Sequence, residues 1–125
     1  MCKPLTKQEL HNLAMNIVGK ELEAKGYEFL AVNSQLKRHP QFVCINKNND
    51  RYFVIVKANV ISDTPITFDV IWMETFKKHA RTQQAKVIFA GVGFGNVEDK
   101  SLPPNLNEAY LLQYDGLQFL DVEQN

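Results

Sequence analysis

The run RYFVIVKANV, residues 51–60, alternates apolar side chains until it meets Lys57, a cation beside an otherwise core-facing strand. Two chemistries fit it. Its ammonium can hold a phosphate, or its stem can pack beside Ile55 while the charge reaches water. Two further basic groups stand elsewhere: Lys37 and Arg38 in LKRHP, and Lys77, Lys78 and Arg81 in KKHAR. At helical spacing Lys77 and Arg81 share one face. With Lys57 these groups make a weak phosphate track for nucleic acid; otherwise they are solvated surface. A third candidate is GVGFGN, where Gly91, Gly93 and Gly95 follow a strand-like run and would let a small ligand approach the backbone. These glycines are expected at the strand's exit, where a loop opens. The segment lacks the G-x-G-x-x-G spacing of a dinucleotide turn, and Glu98 and Asp99 just after it would repel phosphate.

Other chemistries lack their residues. His11, His39 and His79 are far apart, with no second His or Cys three or four positions away. Cys2 and Cys44 have no metal-ligand spacing. Neither a catalytic triad, a metal site nor a cofactor is expected.

The whole chain sets the limits around these candidates. Its 125 residues can bury a core as a single domain without disulfides. Lys plus Arg and Asp plus Glu both total 14, without the basic excess of a dedicated nucleic-acid binder. The charge is uneven: residues 1–90 hold 13 basic and 8 acidic side chains, and residues 91–125 hold 1 and 6. An anion would therefore meet the first ninety residues. No stretch approaches the roughly 18 apolar residues of a membrane span, so a soluble, reduced, cytosolic protein without a membrane partner is expected.

These residues need elements to position them. LTKQEL carries Thr6 and Glu9 as a capping box, with Leu5 placed to staple onto Leu10. Leu10, Leu13, Ala14, Ile17, Val18 and Leu22 follow a helical stripe that stops at Gly26, predicting a helix over 7–25. YEFLAVN, QFVCINK and RYFVIVKA read as three strands, the last two joined by a turn at Asn48, Asn49 and Asp50. Thr64 and Pro65 predict the start of a second helix over 65–83, on the spacing of Ile66, Val70, Met73, Phe76 and Ala80. Trp72 and Phe68 would widen its apolar stripe into an exposed patch, a place for a homodimer contact. AKVIFAGVG is a buried strand that the preceding helix places parallel to an earlier one. A loop over 96–107 and a terminal hairpin, AYLLQY and LQFLDV about Asp115-Gly116, complete the chain. The class is α/β, one mixed sheet flanked by two helices in the order α-β-β-β-α-β-β(-β).

The order helix, three strands, helix, strand resembles the restriction-endonuclease-like fold. GKELEAKGYEFLAVN, residues 19–33, and the Val56-Lys57 dipeptide look like the corresponding parts of a small bacterial family related to Holliday-junction resolvases. The resemblance covers about residues 10–60. It implies a Mg²⁺-dependent nuclease site, with an acid on the second strand, another two residues before the lysine on the third, and a further Glu on the first helix. Residues i and i+2 of a strand share a face, so carboxylate and ammonium would converge on one metal. This chain departs at all three places: the acids would fall near Val43, at Ile55 and near Met15. Glu28, Asp50 and Asp69 are the nearest acids that could have migrated, and none is two residues from Lys57.

The opening LTKQELHNLAMNIVGKELEAKG is also similar to short uncharacterised bacterial proteins sometimes labelled as a flavin-bearing component of the sodium-pumping NADH:quinone reductase. That component needs a four-cysteine iron–sulfur site and a flavin domain, for which two distant cysteines leave no means. The reading these residues favour is a binding module on a nuclease-like fold without its acids, contacting nucleic acid or a protein. The alternatives are a Mg²⁺ nuclease with migrated acids and a small-ligand protein using Gly91, Gly93 and Gly95.

Overall fold

The computed structural model describes residues 3–36, 38–61 and 69–120. The first helix, α1 (Lys7–Ala24), begins at the expected capping box: Thr6 Oγ1 accepts from Glu9 N at 3.1 Å, and Glu9 Oε1 accepts from Thr6 N at 2.8 Å. It ends where Gly26 takes φ +92°, which lets Gly26 N donate to Glu23 O and Tyr27 N to Leu22 O. Leu10, Ala14, Met15, Val18 and Leu22 are the buried stripe, with Leu5 packed against the same cluster.

Strands β1 (Glu28–Val32), β2 (Phe42–Ile45) and β3 (Arg51–Val60) form an antiparallel meander. Between β2 and β3, Asn46 Oδ1 accepts from the amides of Asn48 and Asp50, and Asn49 adopts φ 65°. Helix α2 (Val70–Thr82) then crosses back to β4 (Ala85–Asn96), which pairs parallel to β3 from Arg51 opposite Ala85 to Val60 opposite Phe94. The sheet order is β1-β2-β3-β4-β5, one mixed sheet of six strands with a helix on each face. Tyr52, Val54 and Val56 face α1 together with Ile88, Ala90, Val92 and Phe94. Phe53 and Ile55 face α2 with Val87 and Phe89. Among the described residues, no helix is long and apolar enough to cross a membrane.

Four expectations need correction. Lys57 does not end its strand, because β3 continues to Val60 and Lys57 lies opposite Gly91 within the ladder. Helix α2 starts later than Thr64-Pro65: its N-cap is Asp69, in extended backbone, whose Oδ1 accepts from Trp72 N at 2.8 Å. Thr64, Pro65, Ile66 and Phe68 themselves lie outside the described residues.

Gly91, Gly93 and Gly95 belong to β4 rather than to a loop. A Cβ on Gly93 would lie 3.4 Å from Ile61 Cγ1; one on Gly95 would lie 3.1 Å from Ile61 Cδ1 and 3.3 Å from Lys100 Cα. Ile61, just after β3, and Lys100 in the loop after β4 close over these two glycines, so their small size serves packing. The terminal hairpin is likewise absent. Strands β5 (Tyr110–Tyr114) and β6 (Gln118–Phe119) both run antiparallel to β4, the first beside Val92–Asn96 and the second beside Ile88 and Phe89. Asp115-Gly116, with φ 89° at the glycine, steps the chain sideways along one edge instead of reversing it. Tyr114 Oη donates to Glu21 Oε1 and ties this edge to α1.

Gly95→Ala is expected to destabilise the protein by about 1–3 kcal/mol, because the added methyl meets backbone as well as side chain. Urea unfolding at constant m-value measures this, and a stability equal to the parent would contradict the packing role.

Candidate functional site at the carboxyl end of the parallel pair

A parallel strand pair brings two carboxyl ends to the same edge of a sheet, where α/β proteins commonly place ligands. Here β3 outruns β2: the β2–β3 register ends at Phe42 opposite Val54, while β3 continues for six more residues to Val60. Beyond that point Val56 N faces no β2 backbone. The side chain of Gln41 takes the place of the missing rung, its Oε1 accepting from Val56 N at 2.8 Å. Gln41 Nε2 donates to Arg38 O at 2.8 Å, and His39 Nδ1 stands 3.1 Å from Gln41 Nε2 and 3.3 Å from Gln41 Oε1, accepting from the first or donating to the second according to its tautomer. The amide is fully buried with every polar atom engaged. It therefore fixes the loop before β2, including the cis peptide His39-Pro40, against the side of β3.

The result is a cavity of about 200 Å³ lined by His39, Ile55, Lys57, Asp69, Trp72 and Phe89. Ile55 and Phe89 belong to the buried cluster under α2 and form an apolar floor. Lys57, two residues beyond Ile55, shares its face where the helix no longer covers the sheet. The Asp69 carboxylate lines the cavity while capping α2. Trp72 adds an aromatic wall, 5.2 Å between centroids from His39 and stacked at 5.2 Å and 15° on Phe76. Rings continue down the helix, Phe76 lying near Phe53 and His79.

The structure gathers some predicted residues and separates others. Lys57 and Asp69 come together in the cavity; Arg38 does not line it, although its backbone carbonyl accepts from Gln41 nearby. Lys37 lies outside the described residues. Lys77, Lys78 and Arg81 do not flank the cavity: they occupy the far half of α2, about 7–14 Å along the helix from Trp72. Arg51 Nη1 reaches Gln83 O at 3.3 Å, which puts the end of α2 beside the start of β3, away from Lys57. Lys77 is paired with Glu74 at 2.9 Å.

Val43 sits opposite Phe53, about 13 Å back along β3 from Lys57, and Gln41, just before β2, is the residue that reaches this end. Met15 packs in the cluster on the α1 side of the sheet and lines a separate cavity of about 480 Å³ there. Glu28 opens the outer strand β1, and Asp50 precedes the start of β3, about 23 Å from Lys57. Among the described residues no three of His, Cys, Asp and Glu stand together as a metal-binding set. Gln41 and His39 were missed as members of the site. The only hint in the sequence was that both adjoin a proline just before an apolar run.

A family model matches residues 8–120. The chain belongs to the family described as Domain of unknown function (DUF8840). The match spans everything from the first turns of α1 to β6, including each residue of the cavity. No curated protein matches the chain.

Electrostatics at this end of the sheet disfavour extra positive charge on the imidazoles. Burial lowers the pKa of His39; the Gln41 hydrogen bond opposes the shift and Lys57 adds to it. Burial also lowers His11, helped by the charge on His39, and His11 Nε2 has no hydrogen-bond partner among the described residues. The unfolded chain therefore binds protons more readily than the folded one below the ordinary value of 6.5. The stability linked to both groups is fully present above that value and is lost as pH falls through 6.5 toward the lower folded values. Urea unfolding is expected to show a less stable protein at about pH 5.5 than at about pH 7.5, with a smaller difference in His11→Phe. Gln41→Ala, which strands the amide of Val56, is expected to cost about 1–3 kcal/mol in the same measurement.

Proposed function

We propose that this protein is a binding module that contacts the phosphates of nucleic acid through Lys57 and Arg38, on a restriction-endonuclease-like scaffold without its acidic pair. The observation that carries this reading is the placement of Lys57 at the carboxyl end of the parallel pair, in a cavity with Trp72 and His39. Support for the scaffold is the element order, a helix, an antiparallel meander, a crossover helix and a strand parallel to the third, with the lysine on that third strand.

Catalysis by Mg²⁺ would need oxygen ligands at the positions held by Ile55 and Gln41. An isoleucine has none, and the Gln41 oxygen already accepts from Val56 N. A reducing, cytosolic setting suits Cys44, a buried thiol whose burial pushes its pKa up to about 11.

One observation favours a second reading, a nuclease with a migrated acid: Asp69 lines the cavity beside Lys57. Asp69→Asn separates the two, since asparagine caps a helix about as well as aspartate and only the charge is lost. Cleavage with Mg²⁺ or Mn²⁺ that disappears in Asp69→Asn would establish the nuclease. The binding module instead binds nucleic acid more tightly in that variant and cleaves in neither form.

Fluorescence anisotropy with labelled duplex, branched and single-stranded DNA and RNA across a salt series tests the main reading. Lys57→Ala is expected to weaken binding several-fold and to reduce the salt slope by about one. Binding indifferent to that substitution would overturn it.

A further inference from the structure

We infer that the ligand of this site is an unpaired nucleotide of a single strand, its base against Trp72 and its phosphate at Lys57, an inference that rests on the phosphate-binding reading above. Charge argues first. Duplex-binding proteins that rely on phosphate contacts commonly neutralise about 6–10 of them. This chain has no net charge, and the cavity lining offers Lys57 against Asp69. Attraction for the backbone alone is weak here, so affinity must come from elsewhere.

Aromatic surface supplies it. Trp72 is 40 % exposed, beside Val70 at 68 % and Ile71 at 80 %, at the end of α2 that borders the cavity. Stacking on Phe76 and edge contact with His39 hold the indole plane in place, so little freedom is lost when a second ring lies on it. Bases of a duplex already stack on one another and cannot use such a platform, whereas every unpaired base presents a π-face.

Size agrees: about 200 Å³ is below the roughly 300–1,000 Å³ that encloses drug-sized ligands, and it admits one planar ring system rather than a base pair.

Trp72 is the one tryptophan of the chain, so intrinsic fluorescence reports on the proposed contact alone. The titrants are labelled single-stranded deoxy- and ribo-oligonucleotides of about ten residues, an abasic strand of equal length, and a duplex, each read by tryptophan quenching and by anisotropy. Quenching is expected with the base-containing single strands, and about tenfold weaker binding without quenching for the abasic strand and the duplex. Trp72→Ala is expected to weaken single-strand binding about tenfold; Trp72→Phe, which keeps a ring and guards against loss of fold, is expected to fall between. Deoxy or ribo strands alike support the inference, and the tighter names the natural strand. An abasic strand or duplex bound as tightly as a base-containing strand, or binding without quenching, would overturn the inference and leave the phosphate reading standing. Failure of every oligonucleotide to bind at low salt would overturn both.

Discussion

The constraint on which this molecule depends is the parallel pairing of β3 and β4. No tight turn can join two parallel neighbours, so the chain must leave the sheet, pass over it and return. That requirement creates α2 and decides its face. Both strands are buried on both sides, and the other face must therefore be covered as well, which is the work of α1. The odd and even residues of one strand, Phe53 and Ile55 against Tyr52, Val54 and Val56, consequently serve two different clusters. The chain 51–56 is apolar at almost every position for this reason. Lys57 is the first residue of β3 whose face the helix does not reach.

A second consequence follows from unequal strand lengths. Because β3 extends past β2, the one strand paired with its last residues among the described residues is β4. An open side of a sheet leaves amides that must be satisfied, and the buried amide of Val56 is satisfied by a side chain in place of a backbone carbonyl. Gln41 thereby draws the loop 33–40 against the sheet and sets His39 beside Trp72. The cavity is the space left between that loop, the start of α2 and the apolar floor. Its shape is a product of one side-chain hydrogen-bond network more than of any loop's own preference.

Much of this was legible in the residues. Thr6 and Glu9 fixed the start of α1, Gly26 its end, and the unbroken apolar run 85–92 required a buried strand next to a crossover helix. Local signals failed where a distant contact decided the outcome. Gly93 and Gly95 look like a loop because loops favour glycine, yet their role is to admit Ile61 and Lys100 against β4. Asp115-Gly116 has the composition of a hairpin turn, but the edge of β4 offers pairing positions on both sides of it, so the chain runs on. Thr64 and Asp69 are both good caps, and sequence spacing alone does not choose between them. The cavity was less legible than the fold. Lys57 was visible as an anomaly in its strand, whereas Gln41 acquires its role only once the β2–β3 register leaves Val56 without a partner.

The amide at position 41 has a chemical logic that bears on why no carboxylate stands at that position. A glutamate there could still accept from Val56 N, but it would bring no proton to Arg38 O or to a neutral His39 Nδ1. Arg38 O would then face a carboxylate in a buried setting with no donor, and His39 could donate to that carboxylate only in the tautomer protonated on Nδ1. The neutral amide donates to Arg38 O while it accepts from Val56 N, and it serves His39 in either tautomer. A metal centre and this hydrogen-bonded brace are thus competing uses of the same position. With the brace in place, the cavity keeps His39, Trp72, Lys57 and Asp69 over the apolar floor of Ile55 and Phe89.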